Sequence, residues 1–212
     1  MRRTIPMETK DSVLIVVDVQ NDFCHEDGVF GKAGLDLSSA QTCVNKLLPL
    51  IDAARASGVP VIFVKTHHDA WNNSRAFADR YMRKAARAEI CATGTWGAEY
   101  YRVLPTKDDC EVVKHRYSAF AGTTLEVVLR SLGRETLLVT GVTTNVCVES
   151  TIRDACMRDY RGVLVEDCAA APTAKEHESA VHNVRMYFGK VTDSESLMLS
   201  WRNTVNTAHV GR

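Results

Sequence analysis

Thr136-Leu137-Leu138-Val139-Thr140-Gly141-Val142-Thr143-Thr144-Asn145-Val146-Cys147-Val148-Glu149-Ser150-Thr151 changes its periodicity midway. The first part is a continuous apolar run, as in a strand covered on both faces. Gly141 stops the run and a short polar turn follows. Val148, Ile152, Ala155 and Cys156 then recur at helical spacing. This predicts a strand over residues 135–141 that turns sharply into a helix over 144–159. Such a turn gathers unsatisfied backbone N–H groups and the positive end of the helix dipole. A thiol there ionises more easily and faces donors able to hold an oxyanion. On this segment alone, Cys147 reads equally well as a nucleophile or as a small buried apolar residue.

The run Ser12-Val13-Leu14-Ile15-Val16-Val17-Asp18 is again continuous, β-branched and closed by an acid. An acid ending a central parallel strand lies at the carboxyl edge of the sheet, where open α/β folds place their ligands. Asp18 is therefore a better functional candidate than Asp22 or Asp27, which fall in the polar stretch that follows. A third short run, Cys110-Glu111-Val112-Val113-Lys114, ends in Lys114. An acid, a base and a thiol, each closing its own strand, can meet at one end of one sheet.

Strands are read at 12–18, 59–65, 110–114, 135–141, 161–167 and 190–192, and helices at 39–57, 123–132, 144–159 and 174–188. This alternation predicts an α/β fold in three layers, α/β/α, around a central, mostly parallel six-stranded sheet. Gly58, Gly133 and Gly162 each lie where a helix gives way to a strand and suit helix C-caps. Residues 66–106 break the rhythm. They are polar, rich in arginine and aromatics, partly helical over 76–88, and read as an excursion over the pocket end of one domain, 1–212.

The chain has 26 basic and 26 acidic side chains in 212 residues, so no net field favours nucleic acid or an anionic membrane. Met1-Arg2-Arg3 leads into no apolar signal region, and the apolar runs are too short to cross a bilayer. Seven cysteines without framework spacing fit reduced thiols and a cytoplasmic protein.

The chain resembles the isochorismatase-like cysteine hydrolases. Four motifs carry the resemblance, in order: Asp18-Val19-Gln20-Asn21-Asp22-Phe23, Lys114-His115-Arg116-Tyr117-Ser118-Ala119-Phe120, Gly141-Val142-Thr143-Thr144-Asn145-Val146-Cys147, and Glu166-Asp167-Cys168-Ala169-Ala170. The resemblance implies a Rossmann-like sheet and an Asp18–Lys114–Cys147 triad. In it Asp18 is base and then acid, Lys114 holds Asp18 and favours the thiolate, and Cys147 forms a covalent acyl-enzyme. It also implies a cis peptide bond between Val142 and Thr143, with the N–H groups of Thr143 and Cys147 forming an oxyanion hole. The branch most similar acts on ureidoacrylate, biuret or N-carbamoylsarcosine, so the expected reaction is ammonia-releasing C–N hydrolysis of a small carbamoyl or ureido substrate. Isochorismatase-type vinyl-ether hydrolysis, nicotinamidase-type amide hydrolysis and an inert scaffold subunit are the alternatives.

Phe23, Trp96, Tyr117 and Phe120 are candidates for the pocket wall, and Thr144 and Asn145 for polar substrate contacts. His67-His68-Asp69 invites a metal reading, but the Asp-x-His order of metal-binding relatives is broken, so no metal and no cofactor are expected. Arg75, Arg80, Arg83, Lys84 and Arg87 read as a solvated helix face, although one arginine there would suit a substrate carboxylate. The resemblance implies a homo-oligomer, dimer or tetramer; the apolar positions Val181, Val184, Tyr187 and Phe188 suit either a subunit contact or packing on the sheet.

Overall fold

The computed structural model describes residues 8–79 and 90–210. Six strands, β1 (Ser12–Val17), β2 (Val61–Thr66), β3 (Cys110–Lys114), β4 (Thr136–Val142), β5 (Arg161–Ala170) and β6 (Lys190–Thr192), form one sheet in the order β3-β2-β1-β4-β5-β6. Every neighbouring pair is parallel. The helices are α1 (Asn21–Cys24), α2 (Val29–Lys32), α3 (Ser38–Ala56), α4 (Arg75–Asp79), α5 (Leu125–Leu132), α6 (Glu149–Cys156), α7 (Ala174–Asn183) and α8 (Ser194–Val210).

Both faces of the sheet are covered, which is why β1 is apolar from Val13 to Val17. Leu14 and Val16 enter one core with Leu47 and Leu50 of α3 and Leu197 and Trp201 of α8. Val13, Ile15 and Val17 enter the other with Leu125 and Leu129 of α5 and Ile152 and Ala155 of α6. From β1 the chain winds outward to β3, then returns to place β4 on the other side of β1. The carboxyl ends of β1 and β4 thus flank the point where strand order reverses, the usual ligand crevice of an open α/β sheet.

Local details depart from the expected ones for identifiable reasons. Gly58 (φ 69°) and Gly133 (φ 62°) do take the left-handed turn after a helix. Gly162 does not. It lies inside β5, where a Cβ would stand 2.9 Å from the Ile152 side chain, and Asp159 (φ 63°) makes the turn instead. β5 runs on to Ala170 because the β4–β5 register shifts between Val139 and Gly141, re-pairing Gly141 with Ala169 and Val142 with Ala170. The predicted helix at 144–159 opens with a wide turn at Thr144–Val148 before α6 proper. α8 was not anticipated. Its buried stripe includes Leu197 and Trp201, four apart, set among serines and other polar residues that blur the periodicity.

The 66–106 excursion holds α4 and a short turn at Trp96–Ala98. Isolated bridges tie it down, Gln20 to Tyr100 and His68 to Ala92. The rest of the helix predicted for 76–88, with Arg80, Arg83, Lys84 and Arg87, lies outside the described residues. Among the described residues no helix is long and apolar enough to cross a membrane.

Candidate active site

Four neighbouring strands end in a row, and each delivers part of one buried cluster. Lys114 is the last residue of β3 and Thr66 the last of β2, paired in register. Asp18 follows β1, and the turn bearing Cys147 follows β4. The backbones of β3 and β1 stand about 10 Å apart, two strand spacings. The Lys114 side chain closes that gap, its Nζ 2.7 Å from Asp18 Oδ2. Thr66 lies on the strand between them. Its hydroxyl donates to Asp18 Oδ1 (2.9 Å) and accepts from Lys114 Nζ (2.7 Å). Lys114 also donates to the Arg116 carbonyl (3.0 Å) and reaches Cys147 Sγ at 3.5 Å.

The backbone is shaped to this end. Asp18 adopts φ 54°, a left-handed conformation uncommon for a residue with a side chain, while its N–H still donates to Val64 O at 2.8 Å. Gly141, at φ 107°, packs so tightly on β1 that a Cβ would lie 1.9 Å from the Val17 carbonyl oxygen. The Val142–Thr143 peptide bond is cis. The Thr143 carbonyl accepts from the N–H groups of Val146 and Val148, and the Thr151 hydroxyl donates to the Cys147 carbonyl, fixing the turn.

Electrostatically the cluster is an ion pair plus a thiol. Burial opposes the charge on Lys114, but Asp18 and Cys147 outweigh it and hold the ammonium above the ordinary lysine value. Burial first, and the Asp18 carboxylate second, push the Cys147 thiol up to about 12, with Lys114 offsetting only part of this. The easily ionised thiol expected from the helix N-terminus is therefore not the resting state. Removal from water and a neighbouring carboxylate both disfavour the thiolate.

Beside the cluster opens a cavity of about 350 Å³, within the size range of small-ligand pockets. Its apolar wall includes Phe23, Phe30, Phe77, Ile90 and Tyr117; Thr143, Asn145 and Cys147 face it from the turn, and Arg116 and Glu176 also line it. Asn145 Oδ1 is buried without a hydrogen-bond partner. Of the residues proposed for substrate contact, Phe23, Tyr117 and Asn145 line this cavity. Trp96, Phe120 and Thr144 are not among the described lining residues. Trp96 is half exposed and packs edge-to-face on His25 (centroids 5.0 Å). Phe120 is held in the core against Tyr160 (5.8 Å). Thr144 is fully buried, its hydroxyl 2.9 Å from His177 Nδ1. Val181 and Val184, considered for a subunit contact, pack in the second core, while Tyr187 is exposed. The Asp69 carboxylate caps its own turn through the N–H groups of Trp71 and Asn72. Among the described residues no group of three histidine, cysteine or acidic side chains is placed to hold a metal.

Sequence reasoning missed Thr66, Arg116 and the work of the polar trio after Asp18. Gln20, fully buried, accepts from Thr66 N–H (2.8 Å) and donates to the carbonyls of Thr66 (2.9 Å) and Ala98 (2.7 Å). Asn21 donates to the Trp96 carbonyl at 2.8 Å. Asp22, read as a loop residue, is buried and accepts from the N–H groups of Cys91 (2.6 Å) and Val29 (3.1 Å). Together they pin the excursion to the sheet.

A six-stranded parallel sheet with an acid, an ammonium and a thiol converging at its carboxyl edge defines an α/β/α protein with a buried thiol centre. The family model for the isochorismatase domain matches residues 12–196. The ureidoacrylate amidohydrolase RutB of Yersinia enterocolitica is 35% identical over 207 residues, covering 91% of this chain and 90% of that protein. A cysteine hydrolase from Pseudomonas syringae superposes with a TM-score of 0.82 at 27% identity, covering 96% of this chain and 99% of that one. The N-carbamoylsarcosine amidase of Thermoplasma acidophilum gives 0.69 at 29% identity, covering 87% and 97%. The chain belongs to the isochorismatase family.

Proposed function

We propose that this protein is an amidohydrolase that cleaves a C–N bond of a small carbamoyl or ureido compound through Cys147. One observation carries the reading: the Cys147 sulfur faces a substrate-sized cavity, 3.5 Å from the Lys114 ammonium that itself grips Asp18. The similarity to a ureidoacrylate amidohydrolase and to an N-carbamoylsarcosine amidase supports the bond type.

Cys147 rests as a thiol, so its proton leaves as Sγ attacks the carbonyl carbon, and Asp18 takes it. Lys114 stabilises sulfur as the proton departs. The N–H groups of Thr143 and Cys147 hold the developing oxyanion. Collapse breaks the C–N bond, and Asp18 returns the proton to the departing nitrogen, releasing ammonia. Water, deprotonated by Asp18, then attacks the thioester-like carbonyl and breaks the C–S bond, and Asp18 returns that proton to the departing Cys147 sulfur. A ureido substrate yields a carbamate, which loses carbon dioxide. Asn145 Oδ1 offers an acceptor to a substrate N–H.

The test is ammonia release from a panel of biuret, ureidoacrylate, N-carbamoyl amino acids and nicotinamide, run beside Cys147→Ala. Release from a ureido compound is expected, falling by about 10³-fold or more in the variant. Turnover that survives Cys147→Ala overturns the nucleophile.

A further inference from the structure

We propose that Arg116 anchors a carboxylate on the substrate, so that the cavity selects carbamoyl or ureido acids over neutral ureas. The proposal rests on the reading of this cavity as the site of C–N cleavage and adds which substrates it takes. Arg116 is half-buried and lines the cavity two residues beyond Lys114, which binds its carbonyl. Its guanidinium carbon lies 4.4 Å from the centroid of Phe77, another lining residue. Nη1 donates to the carbonyls of Asn72 (2.9 Å) and His115 (2.6 Å). The group is therefore held in place by one nitrogen and one ring face. Among the described residues no carboxylate pairs with it, and no acceptor meets Nε or Nη2, neither of which is buried away from solvent.

Among the described lining residues, the other two charges are Lys114 and Glu176. Lys114 is matched by Asp18. Glu176 takes the Thr173 hydroxyl at 2.8 Å on the first turn of α7. Among the described residues, Arg116 is thus the cation with a free edge beside an apolar wall. A cation in such surroundings gains from an anion, and the planar fork matches a carboxylate with two parallel hydrogen bonds. A neutral urea leaves that edge unpaired.

The test separates binding from chemistry. Calorimetric titration of Cys147→Ala protein with 3-ureidopropionate and with neutral propylurea is expected to favour the acid by about 10- to 100-fold, the range of charge-assisted hydrogen bonds. Adding Arg116→Gln is expected to abolish the preference. Arg116→Lys, which keeps the charge but not the fork, retains only part of it. Equal affinity for the two compounds in the Arg116 protein overturns the proposal whatever the variants do. So does a preference that persists in Arg116→Gln. An Arg116-dependent preference in a protein that releases no ammonia from any ureido acid would uphold the anchor while overturning the hydrolase reading.

Discussion

Lys114 is 1% exposed and Asp18 fully buried, so each charge depends on the other. Removing one partner of such a pair leaves an uncompensated charge in a dry interior, which costs about 3–5 kcal/mol. Lys114→Met is expected to lower stability by that amount in urea denaturation. The double variant Asp18→Asn/Lys114→Met, which removes both charges, should be more stable than Lys114→Met alone. Cys147 gives a second expectation at this scale. With its thiol pushed up to about 12, the reactive thiolate grows roughly tenfold per pH unit throughout the ordinary range. Alkylation by iodoacetamide should therefore accelerate steadily from pH 7 to 9.5. A plateau near neutrality would show that Lys114 outweighs burial.

Among the elements, β1 and β4 meet tightly at Val17, and Gly141 is what allows it. A side chain there meets both a positive φ of 107° and the Val17 carbonyl at 1.9 Å. Gly141→Ala is expected to destabilise the protein by about 3 kcal/mol or more, measured by thermal or chemical unfolding, and to depress activity further by displacing the turn. Much at this scale was legible in the chain. Continuous β-branched runs announced strands buried on both faces, and a charge or glycine at the end of a run marked the edge where Asp18, Lys114 and Cys147 come together. Thr66 was not legible, because its role follows from β2 lying between β1 and β3, a matter of strand order rather than local pattern. Trp96 and Phe120 do not line the cavity: aromatic character does not say whether a ring faces a cavity, solvent or a core. The stripe of α8 was hidden by polar neighbours.

For the whole molecule, the acid side of the stability curve is set partly by imidazoles. Burial, the largest influence on each, holds His67 and His177 below the ordinary histidine value of 6.5. Both are thus favoured neutral in the folded state, while the unfolded chain protonates them more readily. Their contribution is fully present above about pH 6.5 and is lost as pH falls through the lower folded values. The melting temperature is expected to drop between pH 6.5 and 5. His177→Gln, which keeps a partner for Thr144, should flatten part of that drop.

Asp18, Lys114 and Cys147 lie far apart in the chain, each at or after the end of a different strand. A break in the connection between α5 and β4 would leave the acid and the ammonium on one fragment and the thiol on the other. On the proposed mechanism neither fragment would release ammonia alone, and a colour reaction for ammonia would then report that two separately expressed halves had found each other.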